Sequence, residues 1–197
     1  YFLLAPNRTS AESSPYFEVF RERRFEVLIL EDPWDEFVMD HLHEFEGKPL
    51  KSAEKADLNL SETPKKEGAL DEGAAKSLAQ WMKDSLGDRV GEVRISSRLV
   101  DSPAVVVDAD KQMSASMRRI LKAVRRDDSA PATATERYDL EINPGHPILV
   151  RLEAIRQKDE GLAKDVTEQV YDNARVAAGI LEDPRAMLGR LNQLLEK

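Results

Sequence analysis

The sequence predicts a chain of mixed α/β and α+β class. A small parallel β-α-β unit comes first, and a mixed α+β unit follows, closing in a helix hairpin suited to a four-helix bundle. Three observations carry this expectation. Two short apolar runs, 1–4 and 26–30, flank a helical pattern, and a strand, a helix and a strand in that order imply a right-handed parallel crossover. A polar stretch over 53–69, with Pro64 and Gly68, marks a linker. The last third carries two apolar stripes of helical period broken at Asp183-Pro184.

In the first unit the helix is expected over 13–24, with Ser14 as cap and Pro15 at the first helical position. Phe17, Val19 and Phe20 would face the sheet. Two parallel strands make a poor sheet alone, so further strands are expected upstream. After the second strand, Asp32-Pro33-Trp34-Asp35 precedes a helix through Glu36, Phe37, Val38, Met39 and Leu42. Acids at the carboxyl end of a parallel strand invite a magnesium- or phosphate-handling reading. Helix capping by Asp32 or Asp35 explains them more simply, since no glycine-rich phosphate loop accompanies them. His41 and His43 stand two apart on a helix and point in different directions, which disfavours a shared metal.

The boundary is placed within the linker, giving units 1–60 and 61–197. The second unit opens with a helix over 70–86 that Gly87 stops. Strands are expected over 92–99, 104–107 and 138–142, with His146 as a turn residue before a helix-opening Pro147. Between the second and third strands, Met113, Met117, Ile120, Leu121 and Val124 fall on one helical face opposite Arg118, Arg119, Lys122 and Arg125. Methionine is flexible and polarizable, which suits adaptable binding. The final helices are expected over 162–181 and from Pro184 onward, with Met187, Leu188, Leu191, Leu194 and Leu195 on the second stripe. A short connection forces an antiparallel hairpin. Two hairpins about a twofold axis would bury what one leaves wet.

Composition narrows the chemistry. The chain has 197 residues, 41% hydrophobic and 34% charged, with a formal net charge of −8 and no cysteine. Disulfides, thiol catalysis and cysteine zinc sites are therefore excluded within it, as expected of a cytoplasmic protein. No apolar run is long enough to span a bilayer as a helix. An acidic balance disfavours nucleic acid as a partner, although the cations of 118–126 form one basic face. No catalytic constellation is present, and no metal or cofactor is expected in the chain. The opening YFLLAP, without an initiator methionine, reads as the inside of a strand, so a longer parent chain is expected.

The segment SRLVDSPAVVVDADKQM, the upstream SSPYFEVFRERRFEVLILEDPWDEFVMDHLHEFEGKPLKS, and the downstream DLEINPGHPILVRL and LEDPRAMLGRLNQLLEK are similar, in this order, to heat-shock protein 90 chaperones of the bacterial high-temperature protein G type. The resemblance spans nearly the whole chain. It implies the end of a middle domain followed by a C-terminal dimerisation domain, with ATP and magnesium bound by the parent upstream. It implies stress-response chaperone activity on unfolded clients and homodimerisation, with no catalysis in this part. By position it points to Glu36, Phe37, Asp40, Met113, Met117, Ile120 and Leu121 as client contacts. Val170, Ala174, Leu181, Met187, Leu188, Leu191 and Leu195 are expected at the dimer interface. Bacterial members often carry tryptophan at the place of Phe37, which keeps the bulk but lacks the indole donor. The end at Leu195-Glu196-Lys197 has no acidic tail peptide, so docking of tetratricopeptide cochaperones is not expected.

Overall fold

The computed structural model describes residues 1–55, 58, 67–108, 138–181 and 183–196. The chain opens on strand β1, Phe2–Leu4, which pairs in parallel with β2, Leu28–Leu30, in the register Leu3↔Ile29. The other edge of β1 is taken by a later part of the chain: Phe2 N–H donates to Lys51 O at 3.0 Å and Ala53 N–H to Phe2 O at 2.8 Å. Residues 51–53 thus supply part of the pairing that was expected from upstream strands.

Of the helix expected over 13–24 only α2, Glu18–Glu22, forms, and a separate helix α1, Arg8–Glu12, precedes it. Asn7 caps α1, its Oδ1 accepting from Ser10 N–H at 2.9 Å. Pro15 disfavours a helical residue before it, so no helix runs through Ser14. The Ser14 hydroxyl does accept from Tyr16 N–H at 3.3 Å, but regular helix starts only at Glu18. Tyr16, Val19 and Phe20 are buried. Helix α3, Asp35–Met39, follows β2 and is shorter than expected. A two-residue hairpin then joins β3, Glu44–Phe45, to β4, Lys48–Pro49. Its turn residues Glu46 and Gly47 both have positive φ, 49° and 76°, as a type I′ turn requires.

In the second unit α4 spans Glu72–Leu86. Asp71 caps it through Ala74 N–H at 2.9 Å, and Gly87, at φ 59°, ends it. Its inward face is Ala75, Leu78, Met82 and Leu86. After a 3-10 turn over Gly87–Arg89 come β5, Val90–Ile95, β6, Ala104–Asp108, and β7, Tyr138–Ile142. The sheet order is β5-β7-β6, with β7 parallel to β5 and antiparallel to β6. As the central strand, β7 is buried along its whole length. Its last rung with β6 pairs Asp108 with Tyr138. Strand β5 ends earlier than expected because Ser96 Oγ accepts from Arg98 N–H and Leu99 N–H (3.1 and 3.2 Å). That turn sends Arg98 inward. Near the start of β5 a Cβ on Gly91 would stand 2.5 Å from Asp139 Oδ1, so a larger residue there would displace that carboxylate.

Helix α5, Pro147–Ile155, is capped by His146, whose Nδ1 accepts from Ile148 N–H at 3.2 Å. Helix α6, Glu160–Ala177, stops before Gly179, at φ 67°, not at 181. Helix α7, Arg185–Leu195, runs back along α6. Just before it, Asp183 Oδ1 accepts from Arg185 N–H at 3.0 Å.

The two units share buried polar contacts. Tyr16 Oη donates to Val106 O. The Glu18 carboxylate accepts from the N–H groups of Val100, Asp101 and Ser102 at 2.8, 2.9 and 3.0 Å. Arg98 Nη1 and Nη2 donate to Ala53 O and Lys55 O at 2.7 and 2.5 Å.

Candidate functional site

Two surfaces collect the residues of interest, one on α3 and one on the α6–α7 hairpin. The first is set by a hydrogen-bonded turn of Asp32 and Asp35. Asp32 Oδ1 accepts from Trp34 N–H at 2.9 Å, and Asp35 Oδ2 accepts from Asp32 N–H at 3.2 Å. Asp35 N–H donates to the Asp32 backbone carbonyl at 2.9 Å, so the two acids lock the turn that leads into α3. The helical bonding continues beyond α3, with Leu42 N–H donating to Val38 O at 2.8 Å and His41 Nδ1 lying 2.9 Å from Phe37 O.

That arrangement holds Trp34, Phe37, Val38 and Leu42 on one helical face, three and four residues apart. All four are exposed, Trp34 at 73%, and the Trp34 and Phe37 rings meet at 5.4 Å between centroids. Phe45 in the hairpin is exposed at 61%. Of the client contacts implied here by resemblance, Phe37 and Asp40 lie at the surface. Glu36 does not: it is 3% exposed, on the inward side of α3. A partner reaching this face meets Phe37 and Asp40 but not Glu36. Trp34, Val38, Leu42 and Phe45 were missed as surface residues. Their helical spacing was visible, but spacing alone does not distinguish a stripe facing water from one facing the core. Met113, Met117, Ile120 and Leu121 lie outside the described residues, as do the cations of 118–126. Among the described residues no cluster of acids and histidines could hold a metal ion, and no helix is long and apolar enough to cross a membrane.

On the second surface, α6 packs against β6 and α4. Val170 and Ala174, expected at the dimer seam, are each 3% exposed within the single chain. They belong to its own core, because the buried face of α6 runs through Ala163, Thr167, Val170, Tyr171 and Ala174. Leu181, Met187 and Leu191 are half-buried, and Leu188 and Leu195 are 49% and 77% exposed. No residue of α7 is fully buried.

Arg190 ties α7 to α6. Its guanidinium donates to Glu168 Oε2 at 2.7 Å, to Gln169 Oε1 at 3.3 Å and to Asp172 Oδ2. Arg89 joins the same network through Glu168 at 3.2 Å. Tyr171 lies beneath this cluster and donates its hydroxyl to Arg89 O at 2.6 Å. Burial pushes the Tyr171 hydroxyl above its ordinary range, against the opposing pull of Arg175 and Arg89, whose guanidinium carbons stand 5.6 and 5.9 Å from its ring centroid. In the connector, hydrogen bonds from the Arg185 side chain and backbone hold Asp183 below the usual carboxylate range.

The geometry therefore leaves apolar side chains partly or fully exposed on two faces, one on α3 and one on α7. A family model described as Hsp90 protein matches residues 1–197. The chain is 40% identical over 202 residues to chaperone protein HtpG of Desulfotalea psychrophila, covering 100% of this chain and 32% of that protein. It is 40% identical over 201 residues to chaperone protein HtpG of Desulfitobacterium hafniense, with the same two coverages. Against the mitochondrial heat shock protein 75 kDa of Rattus norvegicus it is 35% identical over 204 residues, covering 100% of this chain and 29% of that protein. The chain thus spans about a third of the length of the curated relatives it matches. A family match that leaves out no residue, on a mixed α/β fold, means that this chain belongs to the Hsp90 protein family.

Proposed function

We propose that this chain is the part of an Hsp90-type molecular chaperone that joins two copies and offers a share of the surface that holds unfolded clients. Residues 1–60 are the end of the middle domain and 61–197 the C-terminal dimerisation domain. ATP and magnesium are handled elsewhere in the parent protein, which works in the cytoplasm in the stress response. The chain itself catalyses nothing and engages neither nucleic acid nor membrane.

The observation that carries this reading is the state of α7. Its stripe of Met187, Leu188, Leu191, Leu194 and Leu195 is apolar, yet no residue of the helix is fully buried. A large aliphatic side chain is worth roughly 1.5–3 kcal/mol when taken fully out of water. A second hairpin laid against Leu188 and Leu195 about a twofold axis would recover part of that and close a four-helix bundle. Of the residues first expected at the seam, Leu181, Met187, Leu188, Leu191 and Leu195 remain available to it. Met113, Met117, Ile120 and Leu121 are proposed, with Phe37 and Asp40, as client contacts.

Sedimentation equilibrium tests this. The wild-type chain is expected to be a dimer, and the Leu188→Asp, Leu195→Asp variant a folded monomer, since both side chains are exposed and their change costs the single chain little. A wild-type chain that stays monomeric at high concentration would remove the dimerisation role. The alternative, a magnesium- or phosphate-handling α/β signalling fragment, needs Asp32 and Asp35 as ligands. Both are engaged by backbone N–H groups of their own turn, and the family match does not favour it.

A further inference from the structure

Among the described residues, five of the twelve large hydrophobic side chains left exposed fall within residues 34–45. This is a contiguous apolar face, beyond what scattered surface residues produce. Its charge is equally one-sided. Glu31, Asp32, Asp40, Glu44 and Glu46 are exposed around it and Asp35 is half-exposed, whereas Lys48 is the one Lys or Arg in residues 31–49.

We propose that the face of Trp34, Phe37, Val38 and Leu42, continued by Phe45, selects client segments that are both apolar and cationic. The proposal rests on the client-binding reading above and names the class of segment this face takes. The aromatic and aliphatic side chains supply anchors that fill on contact, and the ring of carboxylates supplies complementarity to Lys and Arg flanking a partner's apolar residues. A second copy of this chain is a poor occupant, because two such acidic rims would repel. An acidic segment meets the same repulsion. Each exposed ion pair contributes on the order of a twofold to fivefold factor in affinity, so several together distinguish one client class from another without adding apolar contact.

The test uses the chain with Trp81→Phe, which leaves Trp34 as its one tryptophan. Two synthetic peptides share the same leucine and phenylalanine spacing, one with lysines between them and one with glutamates. The lysine peptide is expected to shift Trp34 emission and to bind about tenfold more tightly at low salt. That advantage should shrink as ionic strength rises to about 0.5 M and shortens the screening length. Asp40→Asn, Glu44→Gln, Glu46→Gln should close the gap between the peptides while leaving circular dichroism unchanged. Phe37→Ser should weaken both peptides. Equal affinities for the two peptides, with Phe37→Ser still weakening both, would overturn the charge selection and leave the client surface standing. Binding that ignores Phe37→Ser, or no binding of either peptide, would overturn both. Trp34 emission that changes with protein concentration alone would assign the face to a second copy and likewise overturn the proposal.

Discussion

Arg98 and Glu141 form a buried ion pair, Nε to Oε2 at 3.0 Å, with the two side chains 2% and 8% exposed. The remaining guanidinium nitrogens are not idle, since they hold the carbonyls of Ala53 and Lys55. One side chain of the second unit thus binds the central strand on one side and the end of the first unit on the other. The arginine fork can do this because its donors are fixed in one plane.

Arg98→Met is expected to destabilise the chain by about 3–5 kcal/mol, because it leaves Glu141 charged, buried and without its cation. Urea unfolding measures it. Adding Glu141→Leu should restore part of the loss. The restoration should be incomplete, since two carbonyls of the first unit remain without their donor.

Glu18 reaches the loop of Val100, Asp101 and Ser102 from the first unit and accepts three backbone N–H bonds there. Bonds to a charged acceptor are the stronger kind. Glu18→Gln keeps the shape and removes the charge, so a loss of about 1.5–3 kcal/mol is expected. The amides of Val100–Ser102 should then exchange with deuterium faster than those of β7, and equal protection of both would contradict the assigned role.

Arg190→Ala should release α7 from α6, with a loss of about 1–3 kcal/mol from its partly buried carboxylate bonds. The expected signature is local: faster exchange along α7, with the sheet unchanged. Arg190→Lys should rescue little, because an ammonium cannot span Glu168, Gln169 and Asp172 together.

Tyr171 predicts an alkaline slope. Burial raises its folded-state pKa above the ordinary 10.0. Below that value both folded and unfolded chains hold the proton and its full contribution is present. As the pH climbs past it, the unfolded chain ionises first, and stability falls until the folded-state pKa is passed. Urea midpoints of wild type and Tyr171→Phe, compared between about pH 9 and pH 11, should converge or cross in the wild type's disfavour. A constant difference would show that the hydroxyl does not ionise differently on folding.

What was legible in the sequence was local. Gly87 and Pro147 act on their immediate neighbours, so the end of α4 and the start of α5 follow from residue type and order. The break at Pro15 and the turn at Glu46-Gly47 were equally local, but a continuous apolar pattern and a run of helical residues masked them. Val170 and Ala174 show a different limit. Periodicity places them on one face of α6 but not against a particular neighbour, and β6 and α4 claim that face before a second copy can. The same limit applies to Trp34 and Val38, whose stripe faces water. Arg98 and Glu18 could not be assigned roles at all, because their partners lie more than forty and more than eighty residues away.

The rung between Asp108 and Tyr138 has a consequence for engineering. Residues 109–137, which include the methionine stripe, depart from one strand and rejoin its neighbour at the same step of the ladder. Paired residues across antiparallel strands stand only about 4.5–5.5 Å apart, a gap that a two-residue turn closes. A chain in which a two-residue turn replaces residues 109–137 is therefore expected to keep the register of β6 on β7.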